Sequence, residues 1–292
     1  MRISIYALSI LLFTLLMCER SSAPITGSQK ENSGIEQKSN ESYPNGGLSD
    51  TTKVLFIGNS LTYFNNMPNM VQQIAQKAGK MILAESATIS GLALRHIVNN
   101  TSIHNKIRSN DWDYIILQSD DISAFPDMYT IELNTLSTFM KIIAENNEST
   151  KIIYQMIWGL RNGVNVQELN GEFVYYSYWD YIVKIYNGTI YIADNKNLII
   201  SPVGWAWRQC RMENPEIELF SSDNAHPSYK GSYLCAAVHY AILFQEDCSE
   251  NPYNGDLSEQ EASSLRSIAS SIVLNNLDTW NRKESTGIHE QY

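Results

Sequence analysis

The chain has 292 residues, 43% of them hydrophobic, with a net charge of −10 and a pI near 5.0. That is ample apolar material for the core of one α/β domain. The acidic balance argues against nucleic-acid binding, which needs basic patches.

In chain order, residues 1–18 come first. Met1-Arg2 is a short positive head, and Ile3 to Met17 is an apolar run too short for a stable membrane span. The pattern reads as a secretory signal. Two processing readings follow from it. Cys18 after Leu15-Leu16-Met17 resembles a bacterial lipoprotein box, with Met17 departing from the small residue expected there. This reading lipidates Cys18 and places the protein in the periplasm or at the outer membrane. Alternatively, Ser21-Ser22-Ala23 fits a small-x-small cleavage site and gives a secreted protein. The lipoprotein reading is favoured because the cysteine closes the apolar run and a polar stretch follows. Residues 19–50 are rich in Ser, Asn, Gln, Glu, Gly and Lys and are expected to form a disordered linker. The folded domain is expected over 51–280, and 281–292 as a tail.

Lys53 to Ile57 reads as a short buried strand, broken by Gly58-Asn59. A helix opens at Met67-Pro68, with Met67, Met70, Val71, Ile74 and Ala78 as its buried face and Gly79 as its stop. Further strands are expected at 81–87, 112–118, 151–157 and 198–203. Helices are expected at 131–145, 178–193, 229–244 and 258–277, the last opened by the capping pattern Ser258-x-x-Glu261. Residues 92–108 read as helical or irregular. Residues 161–171 read as a polar loop, and 171–179 as an aromatic-rich lid or substrate rim. Five apolar strands alternating with helices predict an α/β fold with a parallel sheet covered on both faces. Besides Cys18, the cysteines are Cys210, Cys235 and Cys248. An odd number cannot pair fully within the chain. A Cys210–Cys248 bridge is one option, and Cys235 falls in an apolar helix and should be buried.

Ser60 follows the first strand directly. In open α/β sheets the carboxyl ends of the strands are where ligands bind. A serine needs a base to act as a nucleophile. Asp223-Asn224-Ala225-His226-Pro227 supplies one, because a carboxylate three residues before a histidine can hold its tautomer. Gly58-Asn59-Ser60-Leu61-Thr62 near the start of the domain and Asp223-x-x-His226-Pro227 near its end together resemble the SGNH (GDSL-like) hydrolase superfamily, with Gly-Asn-Ser in place of the usual Gly-Asp-Ser. The resemblance spans about Lys53 to Phe244.

The resemblance implies a three-layer α/β/α fold with a flavodoxin-like five-stranded sheet of order 2-1-3-4-5. It also implies a catalytic triad of Ser60, Asp223 and His226, needing no cofactor or metal. The oxyanion hole would combine the backbone N–H groups of Ser60 and Gly91 with a side-chain donor. The superfamily's Gly-x-Asn-Asp is absent here, and Leu117-Gln118 stands at the end of the third strand, so Gln118 takes that donor role. Asn59, Trp158 and Trp205 are candidate pocket residues. His96, His104, His239 and His289 are the other histidines and read as structural or tail residues. The expected reaction is hydrolysis of an O-acyl ester, acetyl first among them, on a carbohydrate through an acyl-enzyme. Alternatives are a lipase, lysophospholipase or thioesterase, a non-catalytic glycan-binding surface protein, and, last, a metallohydrolase using Asp120, Asp121, Asp223 and His226. The expected partner is a small ester or acylated glycan, with no nucleic acid and no membrane contact beyond an N-terminal lipid anchor.

Overall fold

The structure, a computed structural model, describes residues 51–167 and 171–281. The expected signal, its lipidation site at Cys18, the linker and residues 282–292 of the tail, with His289, lie outside the described residues.

Seven strands and ten helices make up the described part, apart from short 3-10 turns. They are β1 (Thr52–Gly58), α1 (Ser60–Tyr63), α2 (Met67–Lys77), β2 (Ile82–Thr88), α3 (Leu94–Ile97), α4 (Thr101–Ile107), β3 (Tyr114–Gln118) and α5 (Tyr129–Asn146). Then come β4 (Lys151–Gln155), β5 (Val164–Gln167), β6 (Phe173–Tyr176), α6 (Tyr178–Lys196), β7 (Ile199–Ser201), α7 (Val203–Glu213), α8 (Tyr229–Phe244), α9 (Glu259–Leu274) and α10 (Leu277–Asn281). The main sheet is parallel in the order β2-β1-β3-β4-β7. This is the expected 2-1-3-4-5 order, with β7 as the fifth strand.

The strands are apolar because helices cover both faces. Val54, Leu55, Phe56 and Ile57 of β1 have no solvent exposure. α2, α8 and α9 pack together on one face, and α3 to α6 form the layer on the other. Pro68 sits in the first turn of α2, where its missing N–H costs nothing. The buried face of α2 closes on Ala75; Ala78, expected there, is the exposed C-cap. Ser258 and Glu261 form the capping box read from the sequence.

Register brings the carboxyl ends of the strands level. Gly58 pairs with Thr88, Gln118 with Gln155, and Gln155 with Ser201. β3, β4 and β7 are shorter than their apolar runs suggested: β3 starts at Tyr114, and Met156, Ile157 and Val203 are buried beyond the last sheet pairing of β4 and β7. Val203 instead opens α7, a helix that the Gly204-Trp205-Ala206-Trp207 run concealed. The stretch 161–171 is not all loop. Its β5 pairs antiparallel with β6 as a separate two-stranded sheet. The cysteine bridge is also corrected. Cys210, Cys235 and Cys248 are each buried with free thiols, and burial pushes the Cys210 and Cys235 thiols up to about 12.

One buried acid is costly. Glu132 of α5 has no solvent exposure, and its Oε1 accepts from the Tyr154 hydroxyl at 2.9 Å. Its Oε2 has no partner. Burial, and then the charge of Asp120, push this carboxyl up to about 7. A group raised on folding stabilises fully below its unfolded value, near 4.5, and loses that contribution as pH rises through about 7. Glu132→Gln keeps the shape without the charge. It should melt close to wild type at pH 5 and several degrees higher at pH 8. A constant difference across that range would refute the raised carboxyl.

Candidate active site

β1 delivers Ser60 to the carboxyl edge of the sheet. Asn59 is the N-cap of α1, its Oδ1 accepting from the Leu61 N–H at 3.0 Å. The turn is tight because a Cβ on Gly58 would come within 2.4 Å of Gln118 Oε1 and 2.6 Å of Thr62 Oγ1. Only glycine lets these two side chains close over the turn.

Ser60 Oγ lies 2.8 Å from His226 Nε2, and His226 Nδ1 lies 2.6 Å from Asp223 Oδ2. Asp223 Oδ1 accepts three more hydrogen bonds, from Ser221 Oγ at 2.7 Å and from the Ala225 and His226 N–H groups at 2.9 Å each. Burial alone would raise the Asp223 carboxyl. The backbone donors, helped by Ser221 and His226, outweigh it and bring the carboxyl down to about 2. Asp223 is therefore ionised and only accepts, which puts the imidazole proton on Nδ1 and leaves Nε2 free to accept from Ser60.

The loop that presents Asp223 and His226 is held from two sides. The Trp158 indole donates to Ala225 O at 3.0 Å, and the Arg161 N–H donates to Asn224 O at 3.0 Å. On the other side runs the 64–66 segment. The Phe64 ring stacks on the His226 imidazole, with centroids 4.3 Å apart and planes 15° from parallel. Asn65 Nδ2 donates to Pro227 O at 3.2 Å and to Ser232 Oγ at 2.9 Å. Asn65 and Asn66 reach this position with φ of 53° and 56°, a left-handed conformation that asparagine tolerates better than most residues. The sequence reading missed this clamp. Two consecutive asparagines before Met67-Pro68 were its only signal.

Backbone donors stand near Ser60. The Ile89 N–H donates to Gly58 O at 3.1 Å, which lays the 89–92 turn beside the serine turn. Gly91, in that turn, has φ of 71°. The Ser60 N–H begins α1 and has no intrahelical acceptor.

Gln118 has a structural task beside its expected one. It is buried, and its Oε1 accepts from the Asn59 N–H at 3.0 Å and from the Thr62 hydroxyl at 2.8 Å. Its Nε2 donates to Ser119 O. The oxygen and one of the two Nε2 hydrogens are thus committed to the serine turn and its surroundings, so Gln118 shapes that turn, and the second Nε2 hydrogen is the donor left for an oxyanion. Gln118→Met should lower Tm by several degrees, because it strands two buried donors at about 1–3 kcal/mol each. A hundredfold or greater loss of turnover with no change in Tm would give Gln118 the oxyanion role alone.

Of the expected pocket residues, Asn59 borders the serine. Trp158 is 1% exposed and stacked on Trp207 at 4.3 Å, so it is core behind the histidine loop and not a pocket wall. Trp205 packs on Tyr186 at 4.4 Å, with the Arg208 guanidinium 4.6 Å from its ring, and belongs to the α6–α7 packing. Nor do the acids proposed as metal ligands converge. Both Asp120 carboxylate oxygens accept from Arg95 Nη1, at 2.9 and 2.7 Å, and Asp121 accepts from the Tyr181 hydroxyl. His239 is fully buried between Ser201 and Gln155, and burial lowers it to about 3.

The fold is a three-layer α/β/α arrangement with the serine turn at the carboxyl edge of β1. A proposed SGNH hydrolase from Slackia heliotrinireducens superposes with a TM-score of 0.51 at 19% identity, covering 65% of this chain and 98% of its own. A DUF4886 family protein from Bacteroides uniformis superposes with a TM-score of 0.65 at 20% identity, covering 77% of this chain and 95% of its own. The sequence matches DUF4886, a domain of unknown function, over residues 86–272, and the chain belongs to that family. The matched span contains Gly91, Gln118, Asp223 and His226 and begins after Ser60. No curated protein matches the sequence.

Proposed function

We propose that the protein is a serine esterase that removes O-acyl groups, acetyl first among them, from a carbohydrate. The observation that carries this reading is the unbroken chain from Ser60 Oγ through His226 to an ionised Asp223. Ser60 Oγ attacks the ester carbonyl while His226 Nε2 takes its proton. The tetrahedral oxyanion is held by the Ser60 and Gly91 N–H groups. His226 then protonates the leaving alcohol, and the Ser60 acyl ester is hydrolysed by water that His226 activates in turn. Asp223 holds the imidazole and stabilises its charged form. The carbohydrate assignment rests on the export signal and the aromatic stretch 171–179.

Hydrolysis of 4-nitrophenyl acetate, with and without a chelator, tests the reaction class. Activity that survives the chelator supports the serine mechanism, and chelator-sensitive activity overturns it. Acetate release from acetylated xylan, set against release from a long-chain acyl ester, separates the carbohydrate esterase from the lipase alternative. The same proposal has the protein exported and tethered through Cys18. Mass spectrometry of the mature amino terminus should find a lipidated Cys18; a free terminus after Ala23 would make it a secreted protein.

A further inference from the structure

Beside the site stands a surface that the proposed chemistry does not use. In the β5–β6 hairpin, Asn165 pairs with Tyr175 and Gln167 with Phe173. Directly opposed residues share a face of a hairpin, and residues two apart on one strand do as well. One face therefore carries Phe173, Tyr175, Asn165 and Gln167. The other carries Val164, Val166, Val174 and Tyr176 and turns inward. Val166 is 5% exposed, whereas Phe173 is 72% and Tyr175 59% exposed. Large rings on a solvent face usually mark a binding surface. Here each ring stands opposite a carboxamide on the neighbouring strand, and no charged side chain lies among those four positions.

The hairpin is fastened to the histidine loop. The Arg161 N–H donates to Asn224 O at 3.0 Å, and the Arg161 guanidinium pairs with Glu218 just ahead of that loop. The Tyr175 hydroxyl donates to Asn162 O at 2.7 Å and ties the outer face to the same stem. At Gly163 the strands cross so closely that a Cβ would meet Tyr176 O at 2.1 Å. On the inner side, the Lys184 ammonium of α6 lies 4.4 Å from the Tyr176 ring centroid. The face is thus held against the element that presents His226.

We propose that the outward face of this hairpin, Phe173 and Tyr175 with Asn165 and Gln167, is a docking subsite for an uncharged polysaccharide chain running into the Ser60 site. The inference rests on the esterase reading for the identity of the site it feeds. Ring faces carry negative quadrupole density and attract the polarised C–H groups of a pyranose. Carboxamides can both donate to and accept from sugar hydroxyls. Residues two apart on a strand are about 7 Å apart, the scale of one sugar unit. A membrane-inserting face would bring aliphatic groups and cations instead of carboxamides, and the chain as a whole is acidic.

The test is affinity electrophoresis of the whole protein through gels holding xylan, glucomannan or a soluble β-glucan, with polygalacturonate as the charged comparison. Wild type should be retarded by at least one neutral polysaccharide. The Phe173→Ser/Tyr175→Ser double variant should lose that retardation at least fivefold, with Tm within a few degrees, since both rings are exposed. Ser60→Ala should be retarded as wild type is, because docking needs no turnover. Docking that persists in a protein without esterase activity would sink the esterase reading and leave the subsite standing. Equal retardation of the double variant, or no retardation of wild type by any neutral polysaccharide, overturns the subsite. So does ring-dependent sedimentation with phosphatidylcholine–phosphatidylglycerol vesicles, or ring-dependent self-association.

Discussion

Ser60→Ala is expected to lower kcat/KM on 4-nitrophenyl acetate by at least about 10^4-fold, to the background rate. The serine Oγ is the atom 2.8 Å from the only histidine nitrogen that an ionised Asp223 leaves free to accept a proton. No neighbouring hydroxyl can replace it. Thr62, next but one in the chain, has already given its proton to Gln118. The loss corresponds to about 5.5 kcal/mol of transition-state stabilisation. The fold should barely register it. Ser60 donates to no group whose loss would strand a buried donor, and Asn59 goes on capping α1 through its own side chain. A Tm within about 4 °C of wild type is expected. Equal rates for folded wild type and variant would remove Ser60 from the mechanism.

Asp223→Asn should slow turnover by about 10^4-fold and cost almost nothing in architecture. An asparagine can keep its oxygen on Ser221, Ala225 N–H and His226 N–H, the three bonds that shape the loop. Its NH2 then replaces the oxygen that now sits 2.6 Å from His226 Nδ1. Two donors cannot face each other, so Nδ1 must become the acceptor and the proton moves to Nε2. The imidazole then offers Ser60 a donor where the mechanism needs an acceptor. Steady-state kinetics beside a melting curve reads both halves of this expectation. Unchanged turnover would show that Asp223 only builds the loop. The wild-type carboxylate also has its own pH signature. Its value falls from 3.8 to about 2 on folding, so its stabilisation is present above pH 3.8 and is lost as pH drops through about 2. Glu132 runs the opposite way, and the two acids should limit the stable range from opposite ends.

Local chemistry made much of this legible in advance. Val54 to Ile57 is apolar without interruption because both faces of its sheet are covered, and that pattern can be read without coordinates. Gly58-Asn59-Ser60 marks a strand-to-helix turn by the conformational freedom of its residues, and Ser258-x-x-Glu261 marks a helix start by hydrogen bonds local to four residues. Asp223 and His226 are three apart and could be paired from their spacing. The β5–β6 hairpin was harder to read. Its strands have four residues each, and their alternation is diluted by polar residues on the solvent face. The helix from Val203 to Glu213 was missed because its opening residues continue the apolar run of β7.

The sequence by itself marked the apolar strands and the candidate serine, aspartate and histidine, because each is announced by its immediate neighbours, while the strand order came only from the family resemblance. Only the tertiary structure decided what the amide of Gln118 faces, that Phe64 lies on His226, and that Trp158 supports the histidine loop from within the core. Those contacts join residues far apart in the chain, 162 positions in the case of Phe64 and His226. Nothing in the local pattern around a buried glutamine or an aromatic ring says which distant partner will complete its hydrogen bonds or cover its face. That choice belongs to the packing of the sheet edge against the loops, and it converts three well-spaced residues into one hydrogen-bonded chain.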